Sequence, residues 1–230
     1  GYSYTGIIGN TNRLYMMGAN NLMGTGSTPL TGDGLNRSNP TQVGNILNVN
    51  DVYYSPVLIN SGSWNSVATT YSHTIALKSD GTLWSWGDNS GGGLGLGDII
   101  NRSSATQIGT STWSAISNDG AITSDGRLFM WGDNTYGKAG TNTQTPSAYS
   151  SPVQVNAAGV SFIAIAAGPG TPAIQAAVYA IATTGDIWGW GYNQYGELGR
   201  NDIVYRSNPV QIYVVSTAAT SYISLSLIHI

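Results

Sequence analysis

The sequence predicts an all-β fold: a β-propeller of four-stranded antiparallel blades, with about four blades present. Three observations carry this. A strand closing on an aromatic or Met residue and glycine recurs four times along the chain, and turn signals bracket each copy in the same order. The third is compositional: Gly, Ser, Thr and Asn supply 100 of the 230 residues while only 8% are charged, which excludes a coiled coil or a charged helical bundle. With 41% hydrophobic residues, seven Trp and fourteen Tyr, the chain carries too much apolar surface to remain disordered.

The recurring strand reads Leu14-Tyr15-Met16-Met17-Gly18, Leu83-Trp84-Ser85-Trp86-Gly87, Leu128-Phe129-Met130-Trp131-Gly132 and Ile187-Trp188-Gly189-Trp190-Gly191. Two residues after each closing glycine stands an Asn (Asn20, Asn89, Asn134, Asn193), and a glycine-rich turn follows. Upstream, Asp80-Gly81, Asp125-Gly126 and Thr184-Gly185 separate two alternating apolar segments, the signature of a two-residue hairpin with both central residues at positive φ. Thr74–Lys78 and Thr82–Trp86 are therefore expected as antiparallel neighbours. Both faces of the pair carry apolar or small residues, as a sheet packed between two other sheets requires. Trp84, Trp86, Trp131, Trp188 and Trp190 read as core. A third segment carries Ser-Pro or Asn-Pro at its start (Ser55-Pro56, Ser151-Pro152, Asn208-Pro209), which suits an edge strand. A fourth begins at Trp64, Trp113 and Phe162. Four strands of about five or six residues with their turns make a blade-sized unit.

The segment Asp80-Gly81-Thr82-Leu83-Trp84-Ser85-Trp86-Gly87-Asp88-Asn89, the turn Tyr195-Gly196-Glu197-Leu198-Gly199 and the strand Pro209-Val210-Gln211-Ile212 resemble the regulator of chromosome condensation repeat family. The resemblance implies a seven-bladed propeller, so the chain is expected to be a partial one. Its repeats are taken as approximately 11–80, 81–125, 126–184 and 185–224, with 1–10 the end of a preceding blade; Gly1–Ile8 aligns with Thr70–Leu77, so the chain is expected to open in the middle of a blade. The last six residues, 225–230, match the translation of a transposase-end DNA sequence and are expected to be a non-native tail on a fragment of metagenomic or phage origin. A four-blade piece is expected to expose apolar faces on its terminal blades and to self-associate through them.

A net charge of −3, with two Lys and six Arg scattered along the chain, offers no stripe for phosphates, so nucleic acid is not an expected partner. Apolar runs such as Phe162–Ala167 fall far short of the roughly 20 residues that span a bilayer. Zero cysteines exclude disulfides, thiolate metal sites and a cysteine nucleophile. His73 is the only histidine outside the tail and reads as buried or turn-capping. Without a second ligand or a G-x-S-x-G elbow, neither a metal site nor a serine hydrolase is expected. The run Gly91–Asp98 lacks the P-loop lysine and reads as a flexible turn. Asp33/Arg37, Asp98/Arg102 and Asp202/Arg206 repeat at one loop position and are expected as structural ion pairs that fix the turn. Tyr53, Tyr54, Tyr149 and Tyr205 fall in the variable inter-strand stretches and are the candidate binding residues. No catalytic residue, metal or cofactor is expected. The functional expectation is a non-catalytic scaffold binding another protein through its loops, in a secreted or virion-associated setting. A nucleotide exchange factor for a small GTPase, as the resemblance implies, and a carbohydrate-active enzyme or lectin are the alternatives.

Overall fold

A computed structural model of the chain describes residues 5–8, 12–19, 52–58, 62–168 and 177–213; of 5–7, 16–19 and 52–58 only the backbone is described. Among these residues the chain forms strands and no helix. Blade 1 is β1 (Thr5–Ile8), β2 (Leu14–Ala19) and β3 (Val52–Leu58). Blade 2 is β4 (Trp64–Thr69), β5 (His73–Lys78), β6 (Leu83–Gly87) and β7 (Arg102–Gln107). Blade 3 is β8 (Trp113–Ser117), β9 (Gly120–Thr123), β10 (Leu128–Asp133) and β11 (Ala148–Gln154). Blade 4 is β12 (Phe162–Ala167), β13 (Ala177–Ala182), β14 (Ile187–Gly191) and β15 (Arg206–Tyr213). Every sheet is antiparallel in chain order. β8 packs on both β4 and β12, while the outer strands make no comparable contact with one another, so the blades fan out from their first strands.

Two boundaries differ from the sequence reading. Residues 1–10 were expected to end a preceding blade, but β1 pairs with β2, Ile8 opposite Leu14 just as Leu77 lies opposite Leu83. The repeat windows are also out of phase with the sheets. Window 81–125 takes β6 and β7 from one blade and β8 and β9 from the next, because the chain leaves the outer edge strand by a short crossing to the neighbouring blade, not by a hairpin. The segment 225–230 lies outside the described residues.

The hairpins are one residue longer than expected. Lys78 N–H donates to the Thr82 carbonyl across Ser79-Asp80-Gly81, and Gly81 alone takes positive φ, 83°. This is a three-residue loop ending in a left-handed glycine. Thr123–Arg127 and Ala182–Asp186 repeat it, with Gly126 and Gly185 at 86° and 88°. In blade 1 the position belongs to Asn12 at 55°, a residue that tolerates the left-handed region. These hairpin tips bind the next blade: Asn12, Gly81 and Gly126 carbonyls accept the N–H of Trp64, Trp113 and Phe162, the first residue of each following first strand.

The outer strands begin two or three residues before their prolines because a bulge lets them run on. In each blade three residues of the outer strand face a single residue of its partner: 54–56 face Met17, 103–105 face Trp86, 150–152 face Trp131 and 207–209 face Trp190. Pro56, Pro152 and Pro209 close these bulges, on an edge strand where no ladder N–H is required.

Three apolar cores lie between blades, as a stack of sheets apolar on both faces demands. Leu14, Trp64, Ala76 and Trp86 fill the first seam. Ile75, Leu77, Leu83, Trp113 and Trp131 fill the second, and Leu128, Met130, Phe162, Val178 and Trp190 fill the third. Trp86, Trp131 and Trp190 are fully buried. Trp84 and Trp188 are only partly so; Trp84 Nε1 donates to Thr82 in its own hairpin and the Lys78 ammonium sits 4.2 Å over its ring.

Two of the buried indoles are also hydrogen-bonded across the seams, whereas the Nε1 groups of Trp64, Trp86, Trp113 and Trp188 are buried without a hydrogen-bond partner among the described residues. Trp131 Nε1 donates to the Gly93 carbonyl and Trp190 Nε1 to the Lys138 carbonyl, both at 2.9 Å. Gly93 and Lys138 each stand four residues after an Asn of the repeat. The same position in blade 1 is Gly24, outside the described residues. The acceptors lie in the glycine-rich turn, which is no free loop: Gly92–Gly95 are buried, and a Cβ on Gly92 would lie 2.8 Å from Ser150 Cα and one on Gly93 2.7 Å from the His73 ring. The expectation of a flexible turn fails because the next blade packs directly on its backbone.

Trp131→Phe keeps a ring but leaves the Gly93 carbonyl buried and unpaired, with an expected loss of about 2–4 kcal/mol in urea unfolding. Trp84→Phe, whose donor is spent within its own half-buried hairpin, is expected to cost less than about 1.5 kcal/mol.

Candidate functional site

Antiparallel order sends every first-to-second and third-to-fourth strand connection to one end of the molecule. The described connections at that end carry Tyr71, Ile99, Ile100, Tyr195, Ile203 and Val204, which are 54 to 82% exposed. Among the described residues, the other exposed large hydrophobics are Ile163, within β12, and Tyr213, at the far end of β15.

Side-chain hydrogen bonds make these loops rigid. Asn89, Asn134 and Asn193 are wholly buried; each Oδ1 accepts the N–H five residues on (Leu94, Ala139, Leu198) at 2.8–2.9 Å. Their Nδ2 groups donate to carbonyls farther along the loop: Asp98; Thr143 and Pro146; Asp202 and Val204. Asp98 and Asp202 extend the clamp. Each Oδ1 accepts from that Asn and from a backbone N–H, of Ile100 and Val204 respectively. Each Oδ2 takes an arginine, Asp98–Arg102 at 2.6 Å and Asp202–Arg206 at 2.7 Å. The Ile100 amide and then Arg102 hold the Asp98 carboxyl below its ordinary value, as the Val204 amide and then Arg206 do for Asp202. Asp33 and Arg37 lie outside the described residues.

The candidate tyrosines separate. Tyr53 and Tyr54 lie in β3, whose side chains are not described, and Tyr149 lies in β11. All three were expected in loops, and the bulges that extend the outer strands upstream of their prolines account for the difference. Tyr149 packs against the third core and meets Thr141 Oγ1 at 3.2 Å. Tyr205 does occupy a loop, where it stacks on Tyr192 (5.3 Å, 19°) and meets Tyr136 edge-on at 4.7 Å. Tyr71, Tyr136, Tyr192 and Tyr195 were not among the candidate binding residues; for Tyr136, Tyr192 and Tyr195 the position next to a repeat glycine is the signal that marks them.

Beneath this face lies an ionic cluster that the sequence reading missed. Asp119, 2% exposed in the β8–β9 turn at φ 56°, accepts from His73 Nε2 through Oδ1 and from Lys138 Nζ through Oδ2, both at 2.8 Å. His73 belongs to blade 2 and Lys138 to the blade 3 turn whose carbonyl receives Trp190, so one carboxylate joins three blades. Burial alone would raise the Asp119 pKa; Lys138 and then His73 overcome it and hold the carboxyl well below the usual range. A shallow cleft of about 270 Å³ opens above the cluster, lined by His73, Asp88, Ser90, Gly93, Asp119 and Asp133. Both imidazole nitrogens are engaged, Nδ1 with Thr70 Oγ1 at 3.0 Å and Nε2 with Asp119, which leaves neither to serve as a base toward the cleft. Among the described residues no group of three His, Cys, Asp or Glu is placed to hold a metal ion.

Radially stacked antiparallel sheets, three of them four-stranded among the described residues, with hydrogen-bonded loops gathered at one end, define a β-propeller. The chain belongs to the regulator of chromosome condensation (RCC1) repeat family, whose repeats match residues 64–92, 125–171 and 184–227. It is 31% identical over 172 residues to the human protein described as probable E3 ubiquitin-protein ligase HERC3, a stretch that is 74% of this chain and 11% of that protein. The fold is similar to human WBSCR16 (TM-score 0.68, 20% identity, 91% of this chain and 49% of that one). It is also similar to yeast RCC1 (Prp20), solved with Kap60 bound (TM-score 0.69, 16% identity, 94% and 48%). The chain thus spans about a tenth of the human ligase and about half of the two solved structures, and corresponds to part of a propeller.

Asp119→Ala strands a buried ammonium and is expected to destabilise the protein by about 3–5 kcal/mol, with Lys138→Met restoring part of the loss in the double variant, read by urea unfolding. Because the folded Asp119 carboxyl titrates below its unfolded value of 3.8, its contribution is complete above that pH. Stability is expected to fall as the pH drops below about 4, and in Asp119→Ala that part of the acid dependence is expected to vanish.

Proposed function

We propose that the chain is a non-catalytic propeller scaffold that binds another protein through its loop face. The observation that carries this is the grouping of Tyr71, Ile99, Ile100, Tyr195, Ile203 and Val204 at one end, all but Tyr71 on loops clamped by buried Asn residues. Preordered loops lose little entropy on binding, so exposed apolar side chains on them translate into affinity. The engagement of both His73 nitrogens supports a non-catalytic role, and the acidic balance disfavours nucleic acid. Yeast RCC1, of similar fold, is seen with a bound protein, Kap60. The low lysine content and the abundance of Ser, Thr and Asn support a secreted or virion-associated setting.

Affinity capture from the source with quantitative mass spectrometry tests the reading. A stoichiometric partner is expected with the native chain and with Tyr213→Ser at the opposite end. It should fall about tenfold or more with Ile99→Ser/Ile203→Ser. Equal capture by the double variant, or no partner at all, overturns the proposal.

A further inference from the structure

Four tyrosines meet where blades 3 and 4 adjoin on the loop face. Tyr136 comes from the β10–β11 loop; Tyr192, Tyr195 and Tyr205 come from the β14–β15 loop. Tyr192 is the floor, 5% exposed, stacked on Tyr205 and edge-on to Tyr136 at 5.2 Å and to Tyr195 at 6.2 Å. Tyr195 stands above it, 82% exposed. Tyr136 completes the ring from across the seam at φ 70°, a conformation that costs a bulky residue energy and that collects at binding sites.

The polar chemistry of the cluster is one-sided. The hydroxyls of Tyr192 and Tyr205 both donate to Gln194 Oε1, at 2.7 and 3.2 Å, so their protons are spent and their oxygens offer only lone pairs to an incoming group. Glu197, which accepts from the Tyr195 N–H through Oε2, makes no ion pair among the described residues. The nearby cations are occupied: Arg206 by Asp202 and the Val204 carbonyl, Arg200 by the Gln211 carbonyl. Among the described residues, the cations seated over rings are Lys78 and Arg127, both on other aromatics. Burial and then the neighbouring Tyr195, Tyr205, Glu197 and Tyr136 push the Tyr192 phenol up. Electron-rich faces, hydroxyl acceptors and an unneutralised carboxylate together complement a planar donor that carries positive charge.

We infer that the Tyr136/Tyr192/Tyr195/Tyr205 cluster with Glu197 is a receptor for an arginine side chain on an exposed segment of the protein partner. The guanidinium lies on the Tyr195 face and directs N–H groups to the Tyr oxygens and the Glu197 carboxylate. Ile203 and Val204, exposed beside the cluster on the loop that carries Tyr205, take an apolar residue next to that arginine. This assignment rests on the scaffold reading above and adds the chemistry of what the face recognises.

The test uses the blocked dipeptide acetyl-Arg-Leu-amide, its neutral isostere acetyl-citrulline-Leu-amide and methyl β-glucoside as probes, followed by the NMR signals of ¹³C-labelled tyrosine. The arginine dipeptide is expected to shift the four tyrosine signals with millimolar affinity, and the citrulline dipeptide to bind about tenfold more weakly. Tyr195→Leu and Glu197→Gln, both at exposed or half-exposed loop positions, are expected to weaken arginine binding about three- to tenfold with unchanged urea midpoints. Equal binding of the citrulline dipeptide, shifts from the glucoside alone, or unaltered affinity in both variants overturns the assignment. If the arginine dipeptide fails while partner capture is still abolished by Ile99→Ser/Ile203→Ser, the arginine receptor falls and the scaffold stands. Selective arginine binding without any captured partner supports the receptor and counts against the scaffold.

Discussion

An indole N–H that crosses from one blade to a backbone carbonyl of the blade before it is the contact on which this structure depends. Tryptophan brings a large apolar area to the seam, and at Trp131 and Trp190 the buried N–H also finds an acceptor, which removes the cost of leaving it unpaired. The acceptor is reached where the turn that carries it lies flat against the neighbouring sheet; in the blade 2 turn that approach leaves no room for a Cβ at Gly92, 2.8 Å from Ser150 Cα, and brings Gly95 against Trp131, while in blade 3 Lys138 supplies the acceptor. The bulge opposite each of these tryptophans belongs to the same arrangement: three outer-strand residues span one inner residue, the strand bends, and proline becomes acceptable where a ladder bond is missing. Trp, Gly and Pro in this repeat are parts of a single constraint, close packing of sheets that are apolar on both faces.

Within that frame the Asn of each repeat turns a long excursion between third and fourth strands into a fixed object. One buried amide satisfies an N–H on one side of the loop and carbonyls on the other, which accounts for loops rich in Gly and Ser staying in register. The Asp–Arg pairs at Asp98 and Asp202 lock the far side of the same loops. Their contribution comes less from the ion pair, which is partly open to water, than from the four or more hydrogen bonds each pair organises. Rigidity at the base of the loop permits aliphatic and aromatic residues at its tip.

Asp119 stabilises in a different way. It lies where first strands converge and neighbouring blades approach most closely, and it replaces apolar packing there with a buried carboxylate shared between an ammonium and an imidazole. Such a cluster fixes geometry more than it adds stability, because the desolvation of its charges offsets much of their attraction. It holds blade 2 against blade 3 at one angle and, through the Lys138 backbone, aligns blade 4 as well. The tyrosine cluster that spans blades 3 and 4 sits on that alignment.

The architecture was legible in the sequence because it follows from short-range patterns that repeat: alternation, the hairpin Asp-Gly, the Trp-Gly strand end and the Asn two residues later. The hairpin loops differed by one residue and the repeat windows by half a blade, since both hairpins and blade crossings read as strand–turn–strand, and pairing partners alone distinguish them. Tyr205 was visible as a loop aromatic, whereas Tyr136, Tyr192 and Tyr195 passed as ordinary residues beside glycines. His73 could be read as buried, but its partners could not be named: Asp119 is 46 positions away in a segment that looks like a plain Asn-Asp turn, and Lys138 is a further 19 along. The sequence by itself determined the blade, because each strand and turn follows from residues a few positions apart. Only the tertiary structure decided which charges and which aromatic rings meet, because those meetings occur between blades, where distance along the chain carries no information about distance in space.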